Sequence, residues 1–448
     1  MTSDPVAAFI EAAVWHGTLE RADAMLAERP EIAGSGVQAA AVLGDDAGVR
    51  RFLALDPGSA TATTPPYGGT ALVYLCLSKY LRLDPARSDG FLRAATALLD
   101  AGADPNAGFW SRGDHPEYET PLYGAAGVAH HAGLTRLLLE CGADPNDAET
   151  PYHTPETYDN AALRVLVESG RMTADSLAMM LLRKADWHDF EGVKWLLEHG
   201  ADPNRATNWG NTALHNAVLS DNDLRIVEVM LDHGGDPTLL TRGPSFKDAG
   251  ARSAVSMAAR RGRGDLLALF ERRGIPIALE GVDRLIAACA RNDSAAVRTI
   301  AQQEPALVSE LLAQGGTLLA EFAGTANTEG MARLLDLRVP VTALYERGYG
   351  YFDIAPNSTA LHVAAWRAWH ETVRFLIARG APVDARDGKD RTPLMLAVKA
   401  CVDSYWSDRR SPESVEALLR AGASVRDVPF PSGYAEVDAL LRRHGAAG

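Results

Sequence analysis

Three stretches of this chain place acids, bases and phenols close together. Asp114-His115-Pro116-Glu117-Tyr118-Glu119 sets carboxylates, an imidazole and a phenol in consecutive positions. Tyr152-His153 is followed by Glu156 and Asp159, and Tyr349, Tyr351 and Asp353 form a third group. An imidazole beside a carboxylate is common apparatus for general acid–base catalysis, and phenols can line the pocket around it. His115, Glu117, His153 and Asp353 are therefore the candidate catalytic residues if these stretches converge. The signal is a clustering and not a motif, and acidic, proline-containing loops are also ordinary solvated surface. The chain has no phosphate loop of the G-x-x-x-x-G-K-[ST] type, no H-E-x-x-H, no C-x-x-C and no G-x-S-x-G. His130-His131 lacks the third ligand that a metal site needs. No metal and no cofactor are expected.

The elements that must position these residues are announced by repetition. Gly102-Ala103-Asp104-Pro105-Asn106 recurs at Gly142–Asn146 and at Gly200–Asn204, with weaker echoes at Gly234, Gly274, Gly380 and Gly422. A second phrase alternates with it: Thr120-Pro121-Leu122-Tyr123, Thr212-Ala213-Leu214-His215, Thr359-Ala360-Leu361-His362 and Thr392-Pro393-Leu394-Met395. Thr before Pro or Ala starts a helix, because the hydroxyl caps free amides and Pro is tolerated at the first helical position. Apolar stripes such as Val193, Trp195, Leu196 and Leu197 predict a second helix. Gly then allows the left-handed exit, and Asp-Pro-Asn makes a tight turn.

Two phrases alternating at about 33 residues resemble the ankyrin repeat. The resemblance implies an all-α solenoid of stacked helix–turn–helix units joined by hairpin-like turns. It also implies that His215 and His362 hydrogen-bond locally and are structural. His130-His131 is similar to the family's Gly-His turn. Thr120 and Thr212 begin copies with about one inserted residue each. Ten or eleven helical pairs are expected along 1–448: capping or degenerate repeats over 1–69, better copies with long insertions over 70–272, degenerate copies over 273–341, better copies over 342–430 and a cap over 431–448. A bend within 273–341 is one reading of its degeneracy.

Function is sought in what the repeat does not require. Connections near 55–69, 107–118, 147–158, 240–252 and 343–358 are too long for the family's short turn, and long loops in compact folds are usually functional or disordered. They are rich in aromatics, unlike disordered insertions. Aromatics dominate binding hot spots. The expected partner contacts are Trp110, Tyr118, Tyr123, Tyr152, Trp209, Tyr349, Tyr351 and Phe352, with Trp366 and Arg367 where family members place contacts on the concave face. The alternative is that each loop plugs its own aromatic into the stack. Insertions at 82–90 and 402–411 fall between the helices of one repeat and are expected at the opposite edge. Tyr405 and Trp406 would then not share a surface with Tyr349; they mark a second contact or, the favoured reading, a local plug.

The formal charge of −14 argues against nucleic acid and favours a basic protein partner if the charge lies on the concave side. No stretch is long and apolar enough to span a membrane, and the first residues read as a helix cap and not as a signal peptide. Cys76, Cys141, Cys289 and Cys401 show no paired spacing and suit small buried hydrophobes in a reducing cytoplasm. The Arg- and Ala-rich composition suggests a bacterial source. The expected function is non-enzymatic protein binding, as a scaffold or as an inhibitor or immunity-type protein. A small-molecule or acid–base catalytic pocket closed by the tyrosine-rich loops is the alternative.

Overall fold

The computed structural model describes residues 4–242 and 250–446. The chain is mostly helical and divides into two compact units, residues 1–236 with 241–250 and residues 237–240 with 251–448. Among the described residues, the first unit holds seven helical pairs, from Pro5–Ala13 with Glu20–Glu28 to Ala213–Leu219 with Leu224–Asp232. The second holds five pairs, from Ala254–Arg260 with Gly264–Arg272 to Pro393–Val402 with Glu413–Arg420, and a terminal helix Ala435–Arg443. Within the first unit each first helix packs on the next, so apolar faces that one pair cannot cover are buried between neighbours. No helix among the described residues is long and apolar enough to cross a membrane.

The two phrases do what their chemistry dictates. Thr120, Thr212 and Thr359 each accept a hydrogen bond from the amide three residues on, and His215 and His362 each accept one from their threonine's amide, completing a capping box. Both histidines are buried structural groups. Gly142 and Gly200 stand at φ +97° and +93°, where a side chain would be strained. The Asn that ends the phrase has a further task. Asn106 donates to the Gly142 carbonyl at 3.2 Å and accepts from the Asp144 amide at 2.8 Å. Asn204 does the same to Gly234 and Asp236 at 2.8 and 2.7 Å. Each turn is thereby fastened to the next.

Departures from the repeat are local. The residue inserted after Thr120 is absorbed as a π-helical turn, Gly124–Val128, continuing Pro121–Tyr123. In the second unit a supernumerary helix, Pro305–Ala313, lies within the degenerate stretch. There Asn327 donates to the carbonyls of both Gly262 and Ala290, at 2.6 and 2.7 Å. The expected loop at 147–158 is not a finger. It contains the first helix of a repeat, Glu149–His153, because Asp147 accepts from the Thr150 amide at 2.6 Å and from the Thr120 hydroxyl at 2.5 Å. Residues 243–249 of the loop expected at 240–252 lie outside the described residues. Cys76, Cys289 and Cys401 are buried, but Cys141 is exposed.

Candidate functional site

In the first unit, Phe109–Trp110 and Tyr118–Glu119 pair as an antiparallel ribbon, with Phe109 opposite Glu119 and Trp110 opposite Tyr118. Side chains alternate across a strand, so one pair faces in and the other out. Phe109 and Glu119 are buried, while Trp110 and Tyr118 are 64% and 38% exposed with ring centroids 5.2 Å apart. Phe109 stacks on Tyr67 at 5.1 Å. Trp15 stands edge-on to both, at 5.9 and 6.3 Å, and tilts against Tyr123 at 6.3 Å. The inward aromatics thus fasten the ribbon, leaving its other face free.

Glu119 is the anomaly, a carboxylate at an inward position. Burial, and then the charges of Glu149 and Glu117, push it up to about 8. Burial also raises Glu117, with Glu149 within hydrogen-bonding reach. Beside them His153 lies between two carboxylates, Nε2 at 3.2 Å from Glu149 and Nδ1 at 2.9 Å from Glu156. Burial alone would lower this imidazole, but the two carboxylates outweigh it and raise it to about 9. Glu156 also pairs with Arg183, which pairs in turn with Asp186 and lies over the Tyr152 ring at 4.2 Å. Tyr152 meets Trp209 edge-on at 5.7 Å, and Asp186 accepts from Asn216 and, at 3.1 Å, from the Ser220 hydroxyl. One polar network therefore runs across the first helices of three successive repeats.

The chemistry open to this arrangement is specific. At neutral pH both His153 nitrogens carry protons and face carboxylates, so the ring has no lone pair with which to act as a base. Glu119 holds its proton as well. Between about pH 4.5 and 8 the folded protein keeps a proton on Glu119 that the unfolded chain has lost, so this group lowers stability as pH rises through that window. His153 contributes stability that is fully present below about pH 6.5 and is lost as pH rises through about 9. Glu119→Gln is expected to stabilise the first unit by about 1–3 kcal/mol at pH 9 and to change little near pH 5. Calorimetry at both pH values checks this, and an equal shift at both would show that Glu119 is ionised throughout.

The expected site residues distribute unevenly. Glu117 and His153 meet through Glu149, whereas His115 is exposed at the ribbon tip. Asp353 belongs to the second unit, where Lys389 and Arg391 hold it at 2.6 and 3.1 Å, below the ordinary carboxylate range despite partial burial. Tyr123 is buried beneath the ribbon. In the second unit the loop 343–358, closed by pairing of Leu344–Tyr345 with Ser358–Thr359, turns its own residues inward. Phe352 and Tyr345 are buried, and the Trp366 indole donates to the Phe352 carbonyl at 2.6 Å. Arg367 lies over the rings of Phe352 and Trp406 at 4.0 and 4.5 Å. Phe352, Trp366 and Arg367, expected as partner contacts, are therefore the buried seat of this loop. Tyr349 is half-buried, and Tyr351 and Tyr405 are 45% and 90% exposed. Trp406 is not on an opposite edge. It packs with Tyr349 on one apolar cluster, because the segment after the long helix Pro393–Val402 folds back over Trp366.

Residues 178–231 match a family model of ankyrin repeats in many copies, and residues 340–428 match one of three ankyrin repeats. Both segments are ankyrin repeats. The chain is also similar to two curated proteins, each over a fraction of its length. One is a mitochondrial disaggregase of Bos taurus, 32% identical over 180 residues, which is 38% of this chain and 21% of that protein. The other is the ankyrin repeat and KH domain-containing protein mask-1 of Caenorhabditis elegans, 25% identical over 234 residues, 51% of this chain and 8% of that protein. The chain thus spans about a fifth of the first relative's length and under a tenth of the second's.

Repetition of the start phrase also accounts for site residues that carry no motif of their own. Thr150-Pro151-Tyr152-His153 repeats the start phrase of Thr120 and places His153 where Tyr123 stands one repeat earlier, the two rings 5.3 Å apart. Gly127 makes this contact possible, since a Cβ there would meet both side chains. Glu149 was legible only once that repeat is recognised. Trp15 gave no signal, because its neighbours come from three other segments.

Proposed function

We propose that the chain is a protein-binding module whose recognition surface is the outward face of the Trp110–Tyr118 ribbon together with the adjoining polar network of Glu117, Glu149, His153 and Glu156. Ankyrin repeats generally mediate protein–protein interaction. The observation that carries the reading is the exposed Trp110–Tyr118 pair on a ribbon already fastened from behind by Phe109. A contact aromatic held in place before binding loses little entropy on association. The acidic network favours a basic partner, and the role is that of a scaffold or inhibitor. Three buried thiols without disulfide partners suit a reducing compartment, in keeping with action in the cytoplasm.

The test is affinity capture from host lysate with the wild type and a Trp110→Ala/Tyr118→Ala variant, whose helicity is checked by circular dichroism. One protein held by the wild type and lost by the folded variant is expected. Equal capture by both would move the surface elsewhere.

A further inference from the structure

The polar network of the first unit has one member with a buried oxygen left unpaired among the described residues. Glu119 is 3% exposed; Ser111 is a hydrogen-bond partner of its carboxyl, but Oε2 has none among the described residues. Strand register directs it inward, from the position opposite Phe109. Its polar surroundings come from three elements. Glu117 and Ser111 come from its own ribbon, Tyr123 from the helix beginning at Pro121, and Glu149 and His153 from the helix Glu149–His153. Three carboxylates thus gather with one imidazolium, and His153 is already shared between Glu149 and Glu156. A buried carboxylate with an unpaired oxygen is costly unless it is neutralised. A proton is one way to neutralise it and a bound cation is another. Among the described residues no group of His, Cys, Asp and Glu is arranged to hold a metal ion.

We propose that Glu119, Glu117 and Glu149 form a receptor for one guanidinium group, supplied by an arginine side chain of the protein partner. A guanidinium is planar, weakly hydrated and presents five donors, so it can bridge carboxylates on two elements at once. Glu117 and Glu149 supply the outer acceptors and Glu119 the inner one. The exposed Trp110–Tyr118 pair is carried on the other face of the same two strands. The cation replaces the proton on Glu119, so binding is linked to proton release.

This inference rests on the protein-binding reading, but its test stands apart. N-acetyl-arginine amide is titrated into the full chain and followed by NMR, with N-acetyl-citrulline amide as the neutral isostere. The arginine probe is expected to bind and the citrulline probe not to. Binding should strengthen with each pH unit from 6 to 8, by up to about tenfold per unit. Glu119→Gln and Glu149→Gln should each weaken it by about tenfold or more. Equal binding of the two probes, affinity independent of pH, or an unaffected Glu119→Gln variant would overturn the proposal. If a captured partner is lost by Trp110→Ala/Tyr118→Ala but kept by Glu119→Gln, the guanidinium receptor fails and the protein-binding reading stands. If the arginine probe binds as expected but no protein is captured, the receptor stands without that reading.

Discussion

Trp366→Ala is expected to cost about 3–5 kcal/mol, the usual range for emptying a buried tryptophan site. The ring is 3% exposed and joins the cluster of Phe352, Ile354, Val363 and Leu396, with Trp406 edge-on at 5.5 Å. Its loss would also leave the Phe352 carbonyl without its donor and the Lys399 ammonium without the ring 4.6 Å beneath it. The cavity opens where the loop 343–358 is seated, so the loop should come loose before the helices behind it. Hydrogen exchange on the full chain should quicken over 343–358, Ala360–Trp366 and Pro393–Val402. Trp366→Phe should recover most of the packing and leave a deficit of about 1–3 kcal/mol for the unpaired carbonyl. Exchange unchanged in the alanine variant would show that Trp366 faces solvent and is free to meet a partner.

That experiment also marks the limit of what the sequence discloses. Helix starts at Thr120, Thr212 and Thr359 and exits at Gly142 and Gly200 are written in adjacent residues, because capping and left-handed turns are settled within one turn of chain. The aromatic loops were legible as departures from the repeat, but which way each ring points was not. Phe109 and Trp110 are neighbours in sequence and opposite in fate, since strand register against Tyr118 and Glu119 decides which is buried. Trp366 occupies a first-helix position as expected, yet Phe352 and Trp406 cover it from segments before and after. The helix Glu149–His153 was hidden because its Thr-Pro phrase sits among polar residues usual in loops, and its cap, Asp147, borrows support from Thr120 of the previous repeat. Longer-range pairing of this kind leaves no period in the chain.

Asp189→Ala should cost as much in the first unit, for an electrostatic reason. Lys184 is fully buried, and its ammonium donates to Asp189 Oδ2 at 2.9 Å and to the Thr157 carbonyl. Asp189 also accepts from the Gly192 amide at 3.0 Å, capping the helix Phe190–Glu198, and from Asn160 at 2.9 Å. Burial alone would raise its carboxyl, but Lys184, Gly192 and Asn160 together hold it below the ordinary range. Its contribution is therefore present above about pH 3.8 and is lost as pH falls through the lower folded value. Removing the carboxylate strands an ammonium in the core, a loss of about 3–5 kcal/mol. The missing cap adds about 1 kcal/mol. Burial already lowers the Lys184 ammonium, and without its partner it should shed its proton as pH rises, so the penalty should shrink on the alkaline side. Lys184→Met in the Asp189→Ala background should recover most of the loss, leaving the cap deficit. Exchange over Ala174–Asp186 and Phe190–Glu198 reads the result, and a single variant that loses no more than the cap's share of protection would mean that Lys184 is uncharged in the folded protein. Because Arg183 on that first helix carries the network from Glu156 to Asp186, destabilising the helix should also loosen that network.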